Sequence, residues 1–333
     1  MRAPEFWTAP GGSAARLLAP LAAAWGAGAR LRATLARPAR VSVPVICVGN
    51  LVAGGAGKTP VVLSLAALAR TRGAALAVVT RGHGGRLAGP LKVDPACHDA
   101  AMVGDEALLI AATGPCWIAR DRAAGARAAA AGAAGVLLDD GFQNPAIVKD
   151  LSLLVVDAEY GFGNGKLIPA GPLREPVADA LRRTDAIVLL GDGDPPDAVR
   201  PTATPILRAR LRPVRGDRFT AARVVAFAGI GRPAKFFATL RAAGAEIVAA
   251  HPFADHHRYR PMELDRLRRE AAAFGARLVT TAKDFVRLPA GWRGGIEVLE
   301  VAVSWDDPAA PLRLLARVLP EAFDESERRA AHG

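Results

Sequence analysis

Organised cysteine chemistry is missing from this sequence. Its three cysteines, Cys47, Cys97 and Cys116, make no CxxC pair and leave one over. That count fits neither a disulfide framework nor a cysteine zinc cluster, and it suits a reducing compartment. Long apolar runs are lacking too: the longest early one, 17–29, is shorter than the ~20 residues needed to cross a bilayer and contains Pro20. It also lacks the layout of a signal peptide. Aromatic residues make up 5% of the chain and do not interleave with basic ones, so there are few stacking platforms and no nucleic-acid partner is expected. Acid is absent between Glu5 and Asp94, while Arg16, Arg30, Arg32, Arg37, Arg40, Lys58, Arg70, Arg72, Arg81, Arg86 and Lys92 fall in that span. The N-terminal third therefore carries a positive field.

What is present is a chain of 333 residues, 51% hydrophobic and 23% charged, with glycine and proline scattered rather than clustered. That length suits about two domains of ~100–200 residues each, and the composition is globular. The net charge of +11 makes anions the first partners to consider: nucleotide phosphates, nucleic acid or an anionic membrane face. Lysine occurs at only six positions, and the abundance of Arg and Ala is what a GC-rich genome would produce, so the distribution of charge says more than its amount. Segment 13–40 mixes Leu17, Leu18, Leu21, Trp25, Leu31 and Leu35 with basic residues and no acids. Two readings fit: a helix lying in a membrane interface, or a core-packing helix that is merely Arg-rich.

From residue 41, short β-branched runs alternate with Ala/Leu-rich stretches of helical period. Strands are expected at 43–48, 75–80, 135–139, 152–157 and 185–190, and helices at 60–71, 105–112 and 121–133. Continuously apolar strands separated by helices predict an α/β fold, a parallel sheet covered on both faces, with ligands at the carboxyl ends of the strands. The Pro-rich interval 191–205 reads as a linker. Further strands near 206–212, 222–228, 245–250, 277–281 and 296–302, with helices near 233–243, 261–274 and 308–318, predict a second, smaller α/β domain. The expected division is thus a membrane-associating segment at 1–40, a P-loop domain at 41–205, a smaller domain at 206–320 and a tail at 321–333.

The sharpest local feature is VICVGNLVAGGAGKTP at 45–60: a buried-type strand, a Gly-rich turn, then Lys58 and Thr59 opening a helix. Glycines let backbone N–H groups wrap phosphates, the lysine reaches the β/γ oxygens, and the threonine hydroxyl can face Mg²⁺. The loop comprises Val52, Ala53, Gly54, Gly55, Ala56 and Gly57, and Val52 departs from the strict pattern, which has Gly first. A hydrophobic strand ending in Asp139 and Asp140 supplies acids at the same sheet edge, either as metal partners or as a loop start. Asp105 and Glu106 begin a helix, where Asp105 as an N-cap is the competing reading. Arg81 in TRGHGG and Lys166 and Arg174 in FGNGKLIPAGPLREP are clamps for anionic groups or solvated surface. An NKxD guanine signature is absent, because Lys283 and Asp284 are adjacent.

The order VGNLVAGGAGKTP, TRGHGG, GDEA, LLDDGFQ, FGNGKLIPAGPLREP, FAGIGRPAKFFATL, FADHH and TAKD resembles the tetraacyldisaccharide 4′-kinase (lipid A 4′-kinase) family. The resemblance runs from about residue 45 to 284, and DDGFQ and PAGPLREP are more specific than the P-loop. It implies an ATP- and Mg²⁺-dependent transfer to the 4′-hydroxyl of a lipid-linked glucosamine disaccharide 1-phosphate, an anionic lipid A precursor. The implied place is the cytoplasmic face of the bacterial inner membrane, held peripherally, with no protein partner expected. Carried onto this chain, it assigns Val52 to Thr59 to ATP, with Lys58 also catalytic, and Thr59, Glu106, Asp139 and Asp140 to the metal. Asp105 becomes the catalytic base and His256 its partner, while Arg81, His83, Gln143, Asn144 and Arg174 face the substrate. Two departures stand out: His83 where the family reads Tyr, and Asn144 where it reads His. A P-loop NTPase acting as a switch or metallochaperone-type assembly protein is the alternative.

Overall fold

We describe the protein from a computed structural model covering residues 4–8, 12–55, 57–200 and 202–323. Thirteen strands are present among the described residues: β1 (Val45–Gly49), β2 (Leu76–Thr80), β3 (Leu91–Lys92), β4 (Cys116–Ile118), β5 (Gly135–Asp139), β6 (Leu151–Asp157), β7 (Ala186–Leu190), β8 (Ile206–Pro213), β9 (Arg223–Ala228), β10 (Glu246–Pro252), β11 (Arg277–Thr281), β12 (Ile296–Leu299) and β13 (Val301–Trp305). Nine form one sheet in the order β13-β8-β7-β6-β1-β5-β2-β4-β3, and four form a second in the order β10-β9-β11-β12. The strands from β8 to β4 run parallel, whereas β13 and β3 close the edges antiparallel.

Every residue of β1, β2, β5, β6 and β7 is buried, because helices cover both faces of the sheet. The alternation is visible in β1. Ile46 and Val48 pack with Val61, Val62 and Leu65 of helix Lys58–Thr71, while Val45 and Cys47 face Ala126 and Ala129 of helix Arg122–Ala130. The alanines of that second helix let it approach the sheet closely, so a run that looks plain as sequence has a packing role. In the smaller domain, Phe236, Phe237 and Leu240 cover one face of the four-stranded sheet, and Leu264 and Leu267 cover the other.

The domain boundaries differ from the expectation. Strand β8 pairs with β7 in the large sheet, so 206–213 lies in the first domain and 191–205 is a β7–β8 connection. The single strand expected at 296–302 is two: β12 ends at Leu299 in the small sheet, and β13 starts at Val301 and returns to the large one. Helix Ala309–Ala316 then places Leu314 and Leu315 in the first domain's core. The smaller domain is therefore an insertion spanning about 214–300, entered and left beside the β8–β13 pair.

The N-terminal segment forms helices Ser13–Leu17 and Ala19–Leu35. Their inward face is small, with Ala15, Ala22 and Gly26 buried, and a Cβ on Gly26 would stand 2.7 Å from Leu167 Cδ1. Their exposed leucines point outward, with Leu17, Leu21, Leu31 and Leu35 all exposed and Leu17 at 81%, while half-exposed Trp25 turns its indole N–H to Arg174 O. That is the reverse of a core-packing helix. No described helix is long and apolar enough to cross a membrane.

Candidate active site

The carboxyl ends of β1, β5, β2 and β6 converge on one open cleft, lined by Gly54, Gly55, Gly57, Lys58 and Thr59 from the P-loop and by Asp140, Arg174 and His256. Helix Lys58–Thr71 opens directly after Gly57, whose φ of 76° suits glycine and whose missing Cβ avoids Leu190 Cδ1 at 2.7 Å. Ala56 lies outside the described residues, while Val52 and Ala53 lead into the loop, Ala53 N–H donating to Pro172 O at 2.8 Å. Lys58 Nζ donates to Asn50 Oδ1 at 2.9 Å and stands 3.4 Å from Asp140 Oδ1. Thr59 is buried beside it.

The two adjacent acids separate in role. Asp140, with φ 57°, turns back to Lys58 and accepts from Arg174 Nη1 at 2.9 and 3.0 Å. Burial raises its pKa, but the charges of Lys58 and Arg174 outweigh that and hold it below the usual carboxylate range. Asp139 is 1% exposed and neither of its carboxylate oxygens has a hydrogen-bond partner. Burial, with added repulsion from Glu106, pushes it up to about 7 against the pull of Lys58. An orphaned, buried carboxylate at a phosphate site is the donor a divalent cation satisfies. Among the described residues no three His, Cys, Asp or Glu side chains form a metal cage. Mg²⁺ does not need one, because it retains waters and binds through one or two carboxylates plus substrate phosphates. The residues present thus fit Mg²⁺ held mainly by Asp139.

A second cluster forms where the smaller domain meets the helix Asp105–Ala111. His256 Nδ1 lies 3.1 Å from Asp105 Oδ2, and Arg287 Nε lies 3.3 Å from the same oxygen. Lys283 pairs with Glu106. Gly104, not Asp105, is the helix N-cap, and the Asp105 carboxylate reaches only its neighbour's N–H, at Glu106, locally. A Cβ on Gly104, where φ is 90°, would meet His83 O at 2.4 Å, so the TRGHGG loop fits against a glycine at the start of this helix. Burial raises the pKa of Asp105, but the His256 hydrogen bond and the charges of Lys283, His256 and Arg287 prevail and bring it to about 2. The same hydrogen bond raises His256 against its burial.

The remaining expected residues divide. His83 touches His256, with ring centroids 5.3 Å apart, and Arg81 is exposed in the cleft without an ion pair among the described residues. Gln143 braces the P-loop instead of facing open solvent, its Nε2 donating to Asn50 O and Glu175 Oε1, both at 2.9 Å. Asn144 closes a turn by accepting from Ala146 N–H at 2.8 Å, and Arg174 is occupied by Asp140. Glu106 is likewise answered by Lys283. Sequence reasoning did not single out Asn50 and Arg287 for the site, and it read Lys283 only as part of a failed guanine signature. Asn50 sits eight residues before the P-loop lysine inside the quoted motif, whereas Arg287 has only its position one helical turn after Lys283 to point to it.

This geometry, a nucleotide-type P-loop facing an aspartate–histidine pair across a cleft, has relatives. The family model described as tetraacyldisaccharide-1-P 4′-kinase matches residues 14–319. The chain belongs to the tetraacyldisaccharide 4′-kinase family. It is 57% identical to the tetraacyldisaccharide 4′-kinase of Rhodospirillum centenum, over 98% of this chain and 99% of that protein, and 53% identical to that of Gluconacetobacter diazotrophicus, over 97% and 99%. The crystal structure of LpxK from Aquifex aeolicus in complex with ATP superposes with a TM-score of 0.73 at 27% identity, covering 92% of this chain and 99% of that one. Family membership does not favour the switch or metallochaperone alternative.

Proposed function

We propose that this chain transfers the γ-phosphoryl group of ATP to the 4′-hydroxyl of a tetraacyldisaccharide 1-phosphate, at Asp105. The observation that carries the reading is the Asp105–His256 contact across the domain junction, opposite Lys58. In the transfer, the acceptor oxygen bonds to the γ-phosphorus, the bond from phosphorus to the β–γ bridging oxygen breaks, ADP leaves, and the hydroxyl proton passes to Asp105. A base with a pKa near 2 is weak towards a resting alcohol. It is adequate if the proton moves late, as the loose transition state of phosphoryl transfer allows, because the oxygen acidifies as its bond to phosphorus forms. The low pKa keeps Asp105 ionised, and His256 orients it. Lys58 and the P-loop N–H groups hold the phosphates. Mg²⁺, held by Asp139 with Thr59 and Glu106 as neighbours, would neutralise charge on the β and γ oxygens.

The acceptor reaches this site from a membrane surface in our reading, with the protein peripheral on the cytoplasmic face of the inner membrane. The outward-facing Leu17, Leu21, Leu31 and Leu35, set among arginines without acids, support it, because such a face suits an anionic lipid surface. The decisive assay is transfer of label from the γ-phosphate of ATP to chloroform-extractable lipid with a defined tetraacyldisaccharide 1-phosphate. Labelled lipid is expected. ATP hydrolysis without labelled lipid, at saturating acceptor, would sink the reading.

A further inference from the structure

The smaller domain delivers two more cations to the cleft, one of them to the Gly-rich loop itself. Helix Pro233–Ala242 starts immediately after the turn 229–232. Arg232 Nη1 donates to Asp157 Oδ2 at 2.9 Å, and Lys235 Nζ donates to the same oxygen at 2.8 Å. Lys235 also pairs with Glu159 at 2.8 Å. The Arg232 guanidinium lies 4.8 Å from the Tyr160 ring centroid, and its Nη2 reaches Gly55 O at 3.5 Å. A Cβ on Gly231 would stand 3.6 Å from Gly55 N. The turn therefore rests on the fourth residue of the Gly-rich loop, whose backbone N–H groups are built to meet phosphate oxygens. Asp157 is buried at the carboxyl end of β6, the strand beside β1.

Charge balance decides what these groups can do. Without nucleotide, Arg232 and Lys235 are matched by Asp157 and Glu159. A triphosphate in the P-loop adds several negative charges within a few ångströms, and a planar guanidinium fork suits phosphoryl oxygens better than one shared carboxylate oxygen. Phosphoryl transfer spreads charge over the equatorial and leaving oxygens, and an arginine brought from outside the P-loop domain is a recognised way to neutralise it. We propose that Arg232 is a phosphate-binding catalytic residue supplied by the smaller domain, exchanging Asp157 for the γ-phosphoryl group when ATP binds. Asp157 is then a resting anchor that competes with ATP, and Lys235 positions the helix that carries Arg232. The inference rests on the kinase reading, and it adds that ATP occupancy and domain docking are coupled through one side chain.

The test compares ATP and ADP binding to the full chain by calorimetry without acceptor, alongside lipid-labelling kinetics. Arg232→Ala should weaken ATP binding roughly tenfold or more with ADP affinity unchanged, and lower kcat by ~10²-fold or more with KM for the lipid acceptor retained. Arg232→Lys should recover part of the kcat loss. Asp157→Asn should tighten ATP binding, the opposite sign. Equal losses of ATP and ADP affinity in Arg232→Ala, or matching losses in Arg232→Ala and Asp157→Asn, would reduce the cluster to a structural clasp and overturn the proposal. Arg232→Gln, which keeps the aliphatic stem and a polar end without the charge, takes the place of the alanine variant if that one fails to fold. Absence of lipid labelling by the unaltered chain would instead count against the kinase reading, while the ATP-against-ADP comparison still decides the role of Arg232.

Discussion

At the scale of single residues, the site depends on which carboxylates are paired and which are not. Asp105 is paired with His256 and Arg287, so it stays ionised, and in the proposed reaction its replacement removes the proton acceptor. Asp105→Ala should lower kcat by roughly 10²–10⁴-fold with ATP binding retained. If the pair acts as one unit, adding His256→Ala should make the enzyme scarcely slower; labelling kinetics on the three variants measure this, and multiplicative losses would mean independent roles. Asp139 is the opposite case, buried and unpartnered with a pKa of about 7. A carboxyl whose folded pKa is raised contributes stability that is full below its ordinary value near 4 and is lost as pH rises through about 7. Asp139→Asn should therefore raise the Tm of the metal-free protein at pH 8 by a few degrees while abolishing most turnover. A lower Tm at pH 8 would show that the carboxylate is satisfied in a way the geometry does not reveal.

At the scale of elements, the N-terminal helix is the part whose chemistry points away from the protein. It is tied down by Trp25 Nε1 donating to Arg174 O at 3.1 Å and by Arg30 on Asp179 at 3.0 Å, not by its leucines. Replacing Leu31 and Leu35, 60% and 73% exposed, with glutamine should thus leave Tm within about 1 °C. Sedimentation with anionic vesicles should fall several-fold and KM for lipid should rise, with KM for ATP unchanged. Unfolding of this double variant would show that the leucines pack against protein, and undiminished vesicle binding would place the membrane contact elsewhere. The Arg30–Asp179 contact is exposed on the Arg side and contributes little by itself.

At the scale of the whole molecule, the proposed site draws groups from two domains. Lys58 and Asp105 belong to the large sheet's domain, while His256, Lys283 and Arg287 belong to the insertion. The bonds joining Asp105 to His256 and Arg287 are therefore also bonds between domains. The Asp105 hydrogen bond raises His256 above its ordinary value, so its contribution to docking is full below about pH 6.5 and is lost as pH rises through the folded pKa. His256→Ala should accordingly cost more Tm at pH 6 than at pH 9, as read by scanning calorimetry. An equal cost at both pH values would mean that the imidazole acts by packing alone.

The sequence by itself determined the parallel sheet, the P-loop after β1 and the acids at the end of β5, because each is written in consecutive residues. A strand buried on both faces must be continuously apolar, and a phosphate loop needs its glycines next to its lysine. The PAGPLREP and DDGFQ stretches carried the family for the same reason. Only the tertiary structure decided what depends on partners far along the chain. Asp139 and Asp140 are neighbours of one residue type, yet Lys58 and Arg174 claim the second and leave the first bare. Residues 296–302 look like one strand, yet Glu300 separates two strands that join different sheets. Arg232 and Arg287 are two among many arginines, and composition cannot distinguish them. What sets them apart is a carboxylate 75 residues from one and 182 from the other, brought within hydrogen-bonding distance when the insertion folds onto the domain that holds ATP.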